Sequence, residues 1–134
     1  MATVSEDLRT FTMADSTVAS LVGDMHELHV PQVESKPYIY FARISSEDER
    51  SLDSAVGEEP FRNLFIVECW AETPEDADTA AGAVRDRLNN YRGTMGSRTV
   101  QGVFVSSQSD EYDPRGDGSD RGFYLSALSV EVVG

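Results

Sequence analysis

Residues 73–91 read TPEDADTAAGAVRDRLNNY, and this stretch predicts an amphipathic helix. Thr73 is a good N-cap, Pro74 suits the first helical position, and the two acids that follow lie at the positive end of the helix dipole. Gly93 is expected to end the helix. The apolar positions form one narrow stripe with i, i+3, i+4, i+7 spacing that can pack closely against a sheet. They are Ala77, Ala80, Ala81, Val84, Leu88 and Tyr91.

Strand patterns lie on both sides of this helix. Segments rich in β-branched and aromatic residues predict four strands, at residues 38–44, 62–71, 99–106 and 122–133. Two short helical patterns, at residues 8–13 and 15–22, come before them. This order predicts an α+β fold: a mostly antiparallel or mixed β-sheet packed on one face by the long α-helix plus the short N-terminal helices.

The strand predicted at residues 62–71 has two apolar faces. Phe65, Val67, Cys69 and Ala71 alternate with Leu64, Ile66, Glu68 and Trp70. One set is expected to meet the helix. The other set is partly apolar too, so we expect that face to find a partner or to remain unusually apolar.

Two polar segments interrupt the strand patterns. Residues 45–60 are acidic with little to bury, which predicts a long exposed loop or a solvent-projecting hairpin. Residues 107–121 are rich in Asp, Gly and Ser, which predicts a hairpin or Ω-type loop. We expect one domain over residues 1–134, with loops projecting at 45–60 and 107–121, and a chain of this length suits a single core.

The charge balance limits the partners of the chain. Its 134 residues carry a formal charge of -13, which disfavours tight binding to nucleic acid and to anionic lipid. The N-terminus lacks a basic region and an apolar core of signal-peptide length, so we expect a protein made and used without export and with no membrane partner. Cys69, the only cysteine, is expected to be a small buried residue.

No motif in the sequence predicts catalysis or a bound cofactor. His26 and His29 are three residues apart without further zinc ligands. The acids of residues 110–121 do not have the spacing of an EF-hand, and Glu58 and Glu59 have no visible partner that would separate their pKa values. We therefore expect no enzyme activity, no catalytic residues, no cofactor and no metal.

Several short pieces, taken in order, carry a resemblance over nearly the whole chain. They are VGD at residues 22–24 after an N-terminal helical segment, VPQ at 30–32 leading to KPYI at 36–39, ECWA at 68–71, TPEDAD at 73–78, AVRDRL at 83–88 and DEYD at 110–113. In this order and spacing, the chain resembles the tail-completion or tail-terminator proteins of long-tailed bacteriophages. These are also called head-to-tail joining proteins and occur in related prophage and gene-transfer particles.

The resemblance implies a structural virion protein located in the tail or neck. It implies a homo-oligomeric, commonly hexameric, ring that caps the tail tube and joins the tail to the head-tail connector or stopper protein. The tail tube protein would be a further partner, and DNA would pass through the lumen without specific binding. In such a ring, the two polar segments are hypothesised to contact neighbouring subunits or to lie at the lumen and rim. Their side chains proposed for these contacts are Glu47, Asp48, Glu49, Arg50, Asp53, Glu58, Glu59, Asp110, Glu111, Tyr112, Asp113, Arg115 and Arg121. The alternative is a small cytoplasmic α+β module that binds a ligand or protein and has a regulatory role.

Overall fold

A computed structural model describes residues 3–28, 37–48, 61–113 and 123–134. Three helices and six strands form these parts of the chain. In chain order they are α1 (Val4–Met13), α2 (Ser16–Leu21), β1 (Met25–Glu27), β2 (Tyr38–Asp48), β3 (Phe61–Ala71), α3 (Pro74–Leu88), β4 (Tyr91–Met95), β5 (Arg98–Asp113) and β6 (Phe123–Val133).

All six strands belong to one mixed sheet in the order β1-β2-β3-β6-β5-β4. The pairing of β1 with β2 is parallel, and the other four pairings are antiparallel. The central strands β3 and β6 pair over ten residues, from Arg62 opposite Val133 to Ala71 opposite Tyr124. The α+β prediction is therefore confirmed, including the mostly antiparallel or mixed sheet.

Helix α3 packs against one face of this sheet, which we call the inner face. Thr73 caps the helix by accepting a hydrogen bond of 3.2 Å from the Asp76 backbone N–H, as its sequence predicts. The helix contacts β3, β5 and β6. The buried residues in the first turns of the helix are alanines. Because their side chains are small, the helix backbone lies close to the sheet there. Five buried side chains form the contact stripe: Ala77, Ala80, Ala81, Val84 and Leu88.

The two N-terminal helices extend the same layer. In α1, Leu8 and Phe11 are buried, and in α2 Asp15 caps the helix by accepting from the Val18 backbone N–H. Arg87 of α3 donates from Nε to the Phe11 carbonyl over 3.0 Å, and its guanidinium lies 3.7 Å from the centre of the Phe11 ring. This contact ties the long helix to the first one.

The predicted end of the long helix was wrong. The helix ends at Leu88, and Asn90 has a φ of 64°, a left-handed conformation that Asn tolerates. Tyr91 continues the i+3 spacing of the stripe, but it begins strand β4 and packs its ring 4.3 Å from that of Phe11. Gly93 lies inside β4 and does not end the helix.

Both predicted polar loops begin later than expected. Residues 45–48 belong to β2 and pair with β3, from Ser45 opposite Leu64 to Asp48 opposite Phe61. Residues 107–113 belong to β5 and pair with β6. Backbone pairing with an adjacent strand holds these polar segments extended, although they lack the apolar alternation that predicts a strand. Residues 49–60 and 114–121 of the predicted loops lie outside the described residues.

Candidate assembly surface

The sheet face opposite α3, which we call the outer face, carries apolar side chains that are only half-buried. On β3 the inner residues Phe65, Val67 and Cys69 are fully buried, whereas Leu64 and Ile66 on the outer face are only partly covered. The predicted division of this strand into two faces is confirmed. No described helix covers the outer face, because α3 packs on the inner one.

Four outer-face side chains on β2 and β3 form a compact group. The register places Tyr38 opposite Trp70 and Tyr40 opposite Glu68. The rings of Tyr38 and Trp70 lie with centres 6.3 Å apart and planes 11° from parallel. The Trp70 indole Nε1 donates a hydrogen bond of 3.1 Å to Oε1 of Glu68. Together these side chains line an open cavity of about 330 Å³, which we call the aromatic groove.

Two further apolar side chains are exposed, one on β2 and one on β5. Ile44 lies at the register shift between Arg43 and Ser45 and is 58% exposed. Phe104 of β5 is 43% exposed and lies over Gly102, where a Cβ would come within 2.6 Å of its ring. Gly102 therefore leaves the space that the Phe104 ring occupies.

The residues hypothesised to contact neighbours lie at opposite ends of the sheet. Glu47 and Asp48 end β2, where the register brings them opposite the first residues of β3. Asp110 to Asp113 end β5, near the last residues of β3. The eleven residues of β3 separate these two ends by about 34 Å. Of the described residues, Glu47 and Asp48 therefore lie at one end of the sheet and Asp110 to Asp113 at the other.

The β5 end carries specific contacts with β6. Asp110 accepts a hydrogen bond of 2.6 Å from the Ser126 hydroxyl. The rings of Tyr112 and Tyr124 are 5.0 Å apart, and Tyr112 remains 49% exposed. Glu111 is exposed on this strand. The other hypothesised contact residues lie outside the described ranges; they are Glu49, Arg50, Asp53, Glu58, Glu59, Arg115 and Arg121.

The aromatic groove was missed by the sequence interpretation. The alternation of residues 62–71 already assigns Glu68 and Trp70 to the second face of their strand, and the same period assigns Tyr38 and Tyr40 to one face of theirs. The register between the two strands, however, decides which of these side chains meet. The sequence of the segment that connects the two strands does not specify their register.

On the helix side of the sheet, Gln108 accepts a hydrogen bond from Arg85 and donates one to Asp78 over 3.1 Å. Within the described ranges, no group of three or more His, Cys, Asp or Glu side chains could hold a metal ion. Burial raises the pKa of the Cys69 thiol to about 12, so the thiolate is disfavoured. His26 contacts the Tyr38 ring edge-on at 6.4 Å, and His29 lies outside the described residues. No helix in the described part of the chain is long and apolar enough to span a membrane.

A comparison with protein families identifies the chain. The model of the family described as "Tail completion protein gp17" matches residues 6–128. The chain belongs to this family. It is accordingly a structural protein of a phage virion, located in the tail, as the sequence resemblance implied.

Comparison with solved structures supports the fold of this tail completion protein. A chain of the virion of a native gene transfer agent (GTA) particle superposes with a TM-score of 0.69 at 15% identity. The match covers 97% of this chain and 92% of that one. At this identity the likeness concerns the fold alone. A search of curated proteins found no match.

Proposed function

We propose that copies of this tail completion protein form a hexameric ring at the head-tail junction. The ring caps the tail tube, joins the tail to the connector or stopper protein and lets DNA pass. The observation that carries this proposal is the outer face, where Leu64 and Ile66 are half-buried in a single copy. Burying such apolar surface against a neighbour favours association. The family assignment and the fold shared with a chain of a gene transfer agent virion support the same role.

The net charge of the chain means that contacts between subunits must overcome electrostatic repulsion. Each copy carries a formal charge of -13, so copies repel one another at long range. Apolar contacts through the outer face offset this repulsion because they do not depend on charge. The same acidic character repels the phosphate backbone, which lets DNA move through a lumen without binding to its wall.

The two ends of the sheet supply the remaining contacts in this proposal. The whole chain acts as one domain, and residues 45–60 and 107–121 reach neighbouring subunits, the connector or the tail tube protein. Glu47 and Asp48 at one end and Asp110 to Asp113 at the other end begin these contacts. Because these two ends are separated by the length of β3, one subunit can contact a different partner at each end. Such a subunit needs no catalytic residues, cofactor or metal.

A charged substitution on the outer face tests the proposal. Ile66→Glu places a carboxylate on the half-buried face without entering the core, so the domain should fold while ring formation and tail joining are lost. Thr79→Glu is the matched control, because Thr79 is exposed on α3, which packs on the opposite face of the sheet. Native mass spectrometry with the tail tube protein measures assembly, and infectious titre measures tail joining. Rings and titre at the level of the unaltered protein in Ile66→Glu would refute the role of this face.

A second experiment tests the connecting segments. Replacing residues 49–60 by a short Gly-Ser linker leaves β2 and β3 paired, because their register ends at Asp48 opposite Phe61. We expect normal folding but impaired ring formation or tail joining. If the shortened protein assembles and yields particles of normal infectivity, residues 49–60 are not an assembly contact.

A further inference from the structure

The aromatic groove combines the two features that attract a cationic side chain. Tyr38, Tyr40 and Trp70 present ring systems, whose faces carry partial negative charge, and Trp is the strongest of these for a cation. Glu68 lies at the same groove and adds a carboxylate. A cation in the groove would therefore contact aromatic faces and a formal negative charge at once.

The hydrogen bond within the groove orients its carboxylate. Trp70 Nε1 donates to one oxygen of Glu68, Oε1, over 3.1 Å. The second oxygen, Oε2, has no hydrogen-bond partner among the described residues and is left for a ligand. Glu68 also takes part in none of the ion pairs formed within the described part of the chain. A half-buried acid with its own orienting donor and no ion pair among the described residues is suited to receive a donor from outside.

The shape of the groove favours arginine over other cations. Two rings whose planes are 11° from parallel form a flat-sided site, and the planar guanidinium stacks on aromatic faces while donating to a carboxylate. The cavity of about 330 Å³ is open, so a side chain can enter from another molecule. An anionic or purely apolar ligand would leave Glu68 without a partner of opposite charge.

The charge of the chain indicates where this arginine comes from. Apolar contacts elsewhere on the outer face can hold copies together, but the groove selects by charge. A second copy, with a formal charge of -13, is a poorer source of a cation than a basic segment of a different protein. We propose that the aromatic groove binds an arginine side chain of another virion protein, and so acts as a specific contact within the apolar outer face. The inference rests on the proposed function only for the identity of that partner as a virion protein.

Trp70 itself reports on this binding. It is the only Trp of the chain, so the intrinsic tryptophan fluorescence comes from the groove alone. The isolated protein is titrated with N-acetyl-arginine amide and, in parallel, with the uncharged N-acetyl-citrulline amide. We expect the arginine compound to change the fluorescence in a saturable way in the millimolar range. The citrulline compound, which has nearly the same shape, should bind at least about tenfold more weakly.

Substitutions in the groove complete the test. Glu68→Gln should weaken arginine binding by about fivefold to tenfold, and Tyr40→Leu by about threefold. The matched control Glu75→Gln removes one negative charge at an exposed position of α3 and should leave binding unchanged. The second groove variant provides an independent measurement if the first one folds poorly.

Two results would overturn the inference. Equal responses to the arginine and citrulline compounds would mean that the groove does not select a cation. The second result is that the unaltered protein does not bind arginine and that Glu68→Gln loses self-association. This result would identify a second copy as the occupant of the groove. Arginine binding is measured on the isolated chain, whereas ring formation is measured by native mass spectrometry. If the groove does not bind arginine, the proposed ring is therefore still tested by its own experiment.

Discussion

Asp7 and Arg98 form an ion pair of 2.6 Å although 91 residues separate them in the sequence. The Asp7 side chain is only 3% exposed and also accepts hydrogen bonds from the backbone N–H and hydroxyl of Ser97. These contacts fasten the turn between β4 and β5 to the first helix. The N-terminal segment is therefore held to the sheet by one carboxylate as well as by apolar packing.

Replacing this carboxylate should destabilise the fold. Asp7→Asn keeps the size of the side chain but removes the buried charge that pairs with Arg98. We expect the free energy of unfolding to fall by about 2–4 kcal/mol in urea titrations. Asp86→Asn removes the same charge from an exposed position of α3 and should change stability by less than about 0.5 kcal/mol. Equal effects of the two substitutions would contradict this account of Asp7.

The same carboxylate gives the stability a pH dependence. Burial by itself would raise the pKa of Asp7, but the hydrogen bonds from Arg98 and Ser97 outweigh burial and lower it. A lowered pKa in the folded state contributes stability that is present above the unfolded pKa, near 4, and is lost as the pH falls through the folded value. Unfolding followed by urea from pH 6 to pH 2 should show this loss in the unaltered protein. The loss should be smaller in Asp7→Asn, and parallel curves would contradict the prediction.

Two glycines provide a matched pair of substitutions. Gly96 has a φ of 62°, and a Cβ at this position would overlap the Asp7 carboxylate. Gly96→Ala should therefore destabilise the protein by more than about 1 kcal/mol. Gly82 lies within α3 and has open space around it, so Gly82→Ala should stabilise the protein by about 0.5–1 kcal/mol. Thermal unfolding would show opposite shifts, and shifts of the same sign would refute this explanation.

The buried thiol should be unreactive. Cys69 is fully buried, and its pKa is raised to about 12 because desolvation disfavours the thiolate. We expect negligible alkylation by iodoacetamide at pH 8 in the folded protein and complete alkylation in concentrated urea. Mass spectrometry measures both states of the same sample. Rapid alkylation of the folded protein would show that this part of the sheet opens readily.

Two asparagines differ in whether their side-chain oxygen is used. The Oδ1 of Asn63 is buried on the inner face without a hydrogen-bond partner among the described residues. Asn63→Leu, which has a similar volume, should raise the free energy of unfolding by about 1 kcal/mol. In contrast, Asn89 Oδ1 accepts from the Val105 backbone N–H over 3.0 Å, and Asn89→Leu should lower stability by a similar amount. Chemical denaturation of both variants checks the contrast, and a destabilised Asn63→Leu would reveal a partner for that oxygen.

The elements with strong local signals could be predicted from the sequence. The cap and stripe of α3 and the two faces of β3 depend on residues close together in the chain, and both agree with the structure. Strand β4 was missed because Tyr91 also fits the helical spacing. Residues 107–113 were missed because their side chains are polar and their extended form depends on pairing with β6. The aromatic groove depends on the register of β2 against β3, which local patterns do not contain.

The connections 49–60 and 114–122 leave the sheet at opposite ends of its central strands. A single copy is therefore polar along the direction of β3, from Phe61 to Ala71. In a closed ring whose copies are related by rotation about a single axis, the component of this direction along the axis is the same in every copy. The two sides of such an assembly are then chemically different surfaces. Each side can bind a different neighbour, although both are formed by the same polypeptide.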